Sequence, residues 1–192
     1  MTKLEIVNNA LMKCGLPLAA SLDDCDWNVQ AIFKGVAGEV LRCHPWNFAQ
    51  RLKTLARDKL IPPFGYKHSY ALPEDCLKVV DVRSYQDLRS PVARFMVMDG
   101  SLLTNAAPCN LRYVSRETPL ENWPPDFCDA LSTLLASRVA SLSAEKAQLS
   151  AQLIQLYQLS LSLAIAADSR ERRETMPDVN EFMEARRQGR GG

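Results

Sequence analysis

Residues 46–115 interrupt an otherwise helical chain, and that change of texture constrains the fold more than any other feature. On either side, apolar residues recur at the period of an amphipathic helix. Between them the apolar runs are short, and turn signals separate them: Pro62-Pro63, Pro73-Glu74-Asp75, Asp99-Gly100 and Ala107-Pro108. Asp99-Gly100 lies between Arg94–Met98 and Ser101–Thr104, the signature of a two-residue hairpin. Residues 78–85 and 110–115 read as further strands, and Pro73-Glu74-Asp75 reads as a turn opening a short helix.

The flanks read as two helical pairs. Thr2 and Glu5 have capping-box spacing, and Leu4, Val7, Leu11 and Met12 follow at helical period until Gly15 and Pro17. A second helix is expected from Asp24 to Cys43, with Trp27, Ala31, Ile32, Val36, Val40 and Leu41 on one face and Pro45 as its stop. Asp23, Asp24 and Asp26 suit its positive end. Pro124-Pro125-Asp126 starts a third helix, with an apolar stripe of Phe127, Leu131, Leu134, Leu135 and Val139. Ser143 is the N-cap expected for a fourth, running to Arg172 and about 45 Å long. Helices this amphipathic cannot bury their faces alone, so the two pairs should pack together. The expected class is α+β, mainly α: an antiparallel helical bundle with an inserted small antiparallel β domain and an extended C-terminal tail. Residues 1–45 and 124–172 form the helical body, 46–123 the insertion and 173–192 the tail.

Composition then limits function. The chain is 47% hydrophobic and 23% charged, an ordinary globular balance, and its formal net charge is +1. Proteins that grip nucleic acid through its phosphates carry a basic excess, so neutrality argues against DNA wrapping but not against a surface past which DNA slides. The six cysteines include no C-x-x-C clamp, and no secretory signal precedes Lys13, so free buried thiols in a reducing compartment are expected. Only His44 and His68 are histidines, neither within a triad or metal pattern, and no phosphate-binding glycine loop occurs. Glu74, Asp75 and Asp81 are acids near one another, and an acid–base pair among them is the less economical reading. No catalytic residue, cofactor or metal is expected.

Three features look deliberate. In His44-Pro45-Trp46-Asn47-Phe48-Ala49, proline stops a helix and two aromatics follow, a corner that seats Trp46 and Phe48 in the core. The segment Ala147–Ala167 carries no charge and is long enough to span a bilayer, yet Gln148, Gln152, Gln155 and Gln158 would be costly in hydrocarbon. Gln148, Gln152, Gln155 and Ser162 line one narrow face, while Leu149, Leu153, Leu156, Leu163 and Tyr157 cover another. A neutral amide stripe suits contact with a neighbouring subunit; the alternative is a plain polar exposed face. In the tail, Val179, Phe182 and Met183 are apolar residues amid charges, with Arg186 and Arg187 beside them, a candidate docking peptide.

The sequence resembles the tail tubular protein A family, the head-to-tail adaptor of short-tailed bacteriophages. The resemblance is carried by Asn9-Ala10-Leu11 with Gly15, Pro17 and Ser21-Leu22-Asp23, then Val40-Leu41-Arg42 with Pro45-Trp46-Asn47-Phe48-Ala49. Tyr70 to Leu77, Arg112-Tyr113-Val114, Trp123-Pro124-Pro125-Asp126-Phe127 and Leu135-Ala136 complete it. It runs from about residue 4 to residue 170. It implies a non-enzymatic virion protein at the head–tail junction, made in the bacterial host cytoplasm. It implies a homo-oligomeric, dodecameric ring that docks on the portal protein and carries the tail nozzle. Double-stranded DNA would pass through the channel during ejection without specific binding, and no membrane would be involved. The alternative is a DNA-binding or other cytosolic adaptor module, also without enzymatic activity.

Overall fold

The computed structural model describes residues 1–25, 27–58, 62, 65–85 and 91–171, with 27 and 28 described by backbone alone. The chain is mixed helix and sheet with two small antiparallel sheets, an α+β fold. The helices are α1 (Lys3–Lys13), α2 (Trp27–Cys43), α3 (Pro125–Ala140) and α4 (Ala147–Glu171). The strands are β1 (Gln50–Leu55), β2 (His68–Ala71), β3 (Cys76–Arg83), β4 (Phe95–Met98), β5 (Ser101–Thr104) and β6 (Cys109–Ser115). One sheet has the order β1-β6-β3 and the other β2-β5-β4.

Local chemistry explains the helix starts. Thr2 and Glu5 cap α1 reciprocally: Thr2 Oγ1 accepts from the Glu5 N–H and Glu5 Oε2 from the Thr2 N–H. The start of α2 is later than Asp24. Asp24 instead accepts from both the N–H and the hydroxyl of Ser21, at 2.9 Å each, closing a turn that holds the chain out of the helix. Ser143 does not cap α4; a 3₁₀ turn, Ala144–Lys146, intervenes, which shortens the helix to 25 residues, about 38 Å. Pro73-Glu74-Asp75 opens no helix. It turns directly into β3, because the Asp75 side chain is committed to strand β6, as shown below.

The core is organised around α3, against which α1, α2 and α4 all pack. Phe127, Leu131, Leu134, Leu135 and Val139 are buried, and so are Ser132, Thr133 and Ser137 on its other sides. A helix buried all round must satisfy its hydroxyls internally. Ser132 and Thr133 donate to Asp129 O and accept from Lys13 Nζ, and Ser137 pairs with Ser150 across the α3–α4 interface. Leu77 and Val80 of β3 and Val114 of β6 join this core from the first sheet. A second cluster, including Leu55, Tyr70, Val82, Leu102 and Leu111, joins the two sheets. Two sequence-assigned core positions are corrected: Met12 and Ala31 are exposed, and Ile6, Ala10, Val29 and Phe33 take the buried places.

The hairpin turn at Asp99-Gly100 has positive φ at both positions, 47° and 68°, as a primed two-residue turn requires. Strands β1 and β2 carry no alternation legible in sequence. Four of the six β1 residues are exposed, and the strand is held by its ladder to β6.

Candidate functional site

The corner after α2 is built from backbone outward. Trp46 is buried, and its Nε1–H donates to Val40 O at 2.8 Å, so the indole reaches a carbonyl left open at the end of α2. Its ring meets His44 and Phe127 edge-on, with centroids 4.9 and 5.1 Å apart. Phe48 stands 4.9 Å from Phe127, also edge-on. Pro45 is half-buried, and its carbonyl accepts from Gln50 Nε2 at 2.7 Å.

The far end of α4 closes on this corner. The buried Asp168 carboxylate accepts from the Asn47 N–H at 2.8 Å, thereby capping the 3₁₀ turn Asn47–Ala49. Its other oxygen lies 3.0 Å from His44 Nε2, and Asn47 Nδ2 donates back to Asp168 O at 2.7 Å. His44, read from sequence as a histidine at a helix end, is therefore a tertiary partner of α4. Sequence reasoning did not find Asp168 or Asn47. The one signal was that Asp168 is an acid in the last turn of a helix, where the dipole disfavours it unless donors surround it.

The amide stripe lies on the outside of α4. Gln148, Gln152, Gln155 and Ser162 are all exposed, while Ser150, Leu153, Ala164 and Asp168 face inward. Leu156 and Leu163 are corrected: they stand with the amides on the exposed face, apart from Leu153. Leu159 is 57% and Leu163 61% exposed. The reason is angular. At 100° per residue, positions 152, 156, 159 and 163 follow spacings of four, three and four and fall on one stripe, about 100° round the helix from 153 and 164. The outer face of α4 is thus uncharged from Ala147 to Ala167, with leucines down its middle and amides beside them. Among the described residues, 144–171 is also the one helix long and apolar enough to cross a membrane, with mean hydropathy 1.3 and only 17% of its most apolar stretch buried.

The acids near residue 75 are structural. Asp75 accepts from Tyr113, Ser115 and Arg51, joining the turn before β3 to β1 and β6. Burial pushes its carboxyl up, but the hydrogen bonds from Ser115 and Tyr113 and the Arg51 charge outweigh this and hold it below the usual value. Asp81 binds Arg112 and Arg83. All six cysteines are free thiols, and burial pushes Cys109 and Cys128 up to about 11. Among the described residues no three His, Cys, Asp or Glu side chains converge as a metal would need. Val179, Phe182, Met183, Arg186 and Arg187 lie outside the described residues. Comparison with models of known protein families finds no match, and no curated protein matches the chain significantly.

Proposed function

We propose that this chain is a structural subunit of a bacteriophage virion: a head-to-tail adaptor that forms a dodecameric ring on the portal, continues the DNA channel and supports the tail nozzle. The observation that carries this reading is the outer face of α4. It is a long helix fixed to the body on one side and, on the other, free of charge and rich in leucine. A helix facing bulk water ordinarily carries Glu and Lys there, and exposed apolar stripes of this kind mark surfaces that another protein covers. Amides beside the leucines give such a contact hydrogen bonds without the desolvation cost of charge. The resemblance in the Pro45–Ala49 corner and the Tyr70–Leu77 segment supplies the rest of the identity, including the portal and nozzle as partners and the virion as location.

In this reading the helices form a bundle from which the β-rich middle projects, and residues 173–192, with Val179, Phe182 and Met183, reach the portal. No catalysis is involved. The polar clusters that the fold contains, around Asp75 and Asp81, are engaged in holding strands together.

Electron microscopy of the purified protein mixed with a short-tailed phage portal tests the proposal. A ring seated on the portal is expected, and Leu159→Asp should fold normally yet fail to form it. A tight obligate dimer, or a portal that stays bare, overturns the reading.

A second reading follows from the hydropathy of 144–171. Insertion of α4 into a bilayer would bury the leucines but also four glutamines, and would strip Leu153 and Ala164 from α3. Flotation with lipid vesicles distinguishes the two: the adaptor reading expects the protein to stay with the soluble fraction.

A further inference from the structure

A cleft separate from the α4 face opens between α2 and the loop before α3. Phe33, Leu41, Leu77, Leu120 and Trp123 wall it, and its volume is about 610 Å³, within the roughly 300–1,000 Å³ typical of ligand sites. Gly35 and Gly38 border its open space: a Cβ at either would meet nothing within 4 Å. Lys34 and Arg116 also line it, with Glu117, and neither cation forms an ion pair among the described residues. Trp123 forms part of the cleft wall. The residue is only 8% exposed, and its buried Nε1–H has no hydrogen-bond partner among the described residues.

The hairpin of β4 and β5 carries the complementary chemistry. Met96, Val97 and Met98 are all exposed, the last by 53%. β4 is the outer strand of its sheet among the described residues, and an outer edge offers backbone carbonyls. Asp99 stands exposed at the turn and forms no ion pair among the described residues. Three successive exposed apolar residues on an open strand edge form a surface that folded proteins ordinarily cover.

We propose that the β4–β5 hairpin tip of one copy of this chain seats in the α2–Trp123 cleft of another. Met96 and Met98, flexible enough to fill an irregular apolar space, enter between Leu41, Leu77 and Leu120. Trp123, which lines the cleft, packs beside them. Asp99 meets Lys34 and Arg116, which sets the register. Hairpin and cleft are different surfaces, so the contact is head-to-tail, and its repetition builds a ring or a filament. This deepens the ring reading above by naming one of its subunit contacts, and it is tested without portal, so that either can fail alone.

The test is a charge-swap complementation by sedimentation velocity, with the Trp123 indole ¹H–¹⁵N resonance followed against protein concentration. Wild type should self-associate as concentration rises, with the Trp123 indole resonance shifting as the cleft beside it fills. Asp99→Lys alone places three cations together, and Lys34→Glu with Arg116→Glu sets acids against Asp99. Each should weaken association by about tenfold or more. Mixed in equal amounts, the two variants pair correctly at both contacts and should recover it. Gly38→Leu, which fills the cleft from an open helix position, should fold normally and abolish association. The inference is overturned if wild type stays monomeric with an unmoved indole signal, or if either charge variant alone associates like wild type. It is also overturned if deleting residues 172–192 shifts the Trp123 signal of the dilute monomer, since the chain's own end then occupies the cleft.

Discussion

Replacing Asp168 by alanine removes the group that ties α4 to the corner after α2. The cost follows from what each partner is left with. The Asn47 N–H, which donates to the carboxylate at 2.8 Å, loses this charged acceptor. A hydrogen bond from a buried N–H to a charged acceptor is worth about 1.5–3 kcal/mol when removed. His44 loses less, since its side chain is 14% exposed and water can reach it, so about 0.5–1 kcal/mol is assigned there. The bond from Asn47 Nδ2 to Asp168 O survives, because it uses the backbone. The sum is about 3 kcal/mol, equivalent to a fall in Tm of roughly 6–12 °C for a chain of this size. Asp168→Asn keeps one carbonyl oxygen for the Asn47 N–H and should cost about 1 kcal/mol. Urea unfolding followed by far-UV circular dichroism measures both. If Asp168→Ala unfolds within about 0.5 kcal/mol of wild type at an unchanged m-value, the clasp does not contribute as argued.

Three further outcomes follow. Trp46→Ala should destabilise by about 3–5 kcal/mol through the lost aromatic packing, and Trp46→Phe by about 1 kcal/mol through the lost indole hydrogen bond, since the Cys43 thiol still donates to the Val40 carbonyl; thermal melts separate them. Asp75 has a folded-state pKa held below its ordinary value of 3.8, so its contribution is present above that value and is lost as pH falls through the folded one. Wild type should therefore lose more stability than Asp75→Asn between about pH 5 and pH 3, and parallel pH–stability curves would contradict this. Thiol titration of the native protein at neutral pH should label exposed Cys43 first, and Cys109 and Cys128 only after unfolding, since both are buried and pushed up to about 11; early labelling of either would refute it.

The parts of this fold legible in sequence are those written in neighbouring residues. The α1 capping box, the Asp99-Gly100 turn and the α3 stripe each depend on spacings of two to four positions, and each is present. What was not legible depends on partners far along the chain. β1 shows no alternation because its ladder to β6 and ion pairs such as Arg51–Asp75, not a buried face, hold it in place. Asp24 was taken for a residue inside the helix because helix-dipole preference and turn capping favour the same acid at nearly the same position. Leu156 and Leu163 were grouped with Leu153 because all three are leucines on one helix. Only the position of α3 says which leucines face it. The cleft was invisible for a related reason: two glycines in a helix read as weak helix formers, and the void they leave exists only once Leu77, Leu120 and Trp123 arrive opposite.

These long-range contacts also bear on how α4 could serve as an assembly face. A helix with few buried residues should be free to shift, and a mobile face makes a weak contact because association must then order it. Polar contacts hold this helix beside its apolar packing, three of them as follows. Lys146 Nζ, just ahead of its first turn, donates to Cys14 O at 2.9 Å. Ser150 donates to Ser137 O at 3.0 Å in the α3 interface. Asp168 grips Asn47 and His44 near the last turn. All three are polar, directional contacts, and all lie on the side away from Leu156, Leu159 and Leu163. Hydrogen bonds fix the rotation of a helix about its axis more sharply than apolar packing does, because their geometry tolerates little angular error. The arrangement leaves the outer stripe both uncovered and pre-oriented, so the leucines meet a neighbour without a further ordering cost. It also accounts for the buried aspartate in the last turn of so acid-poor a helix: the Asp168 charge is placed inside, where it fastens the helix that presents the outer face.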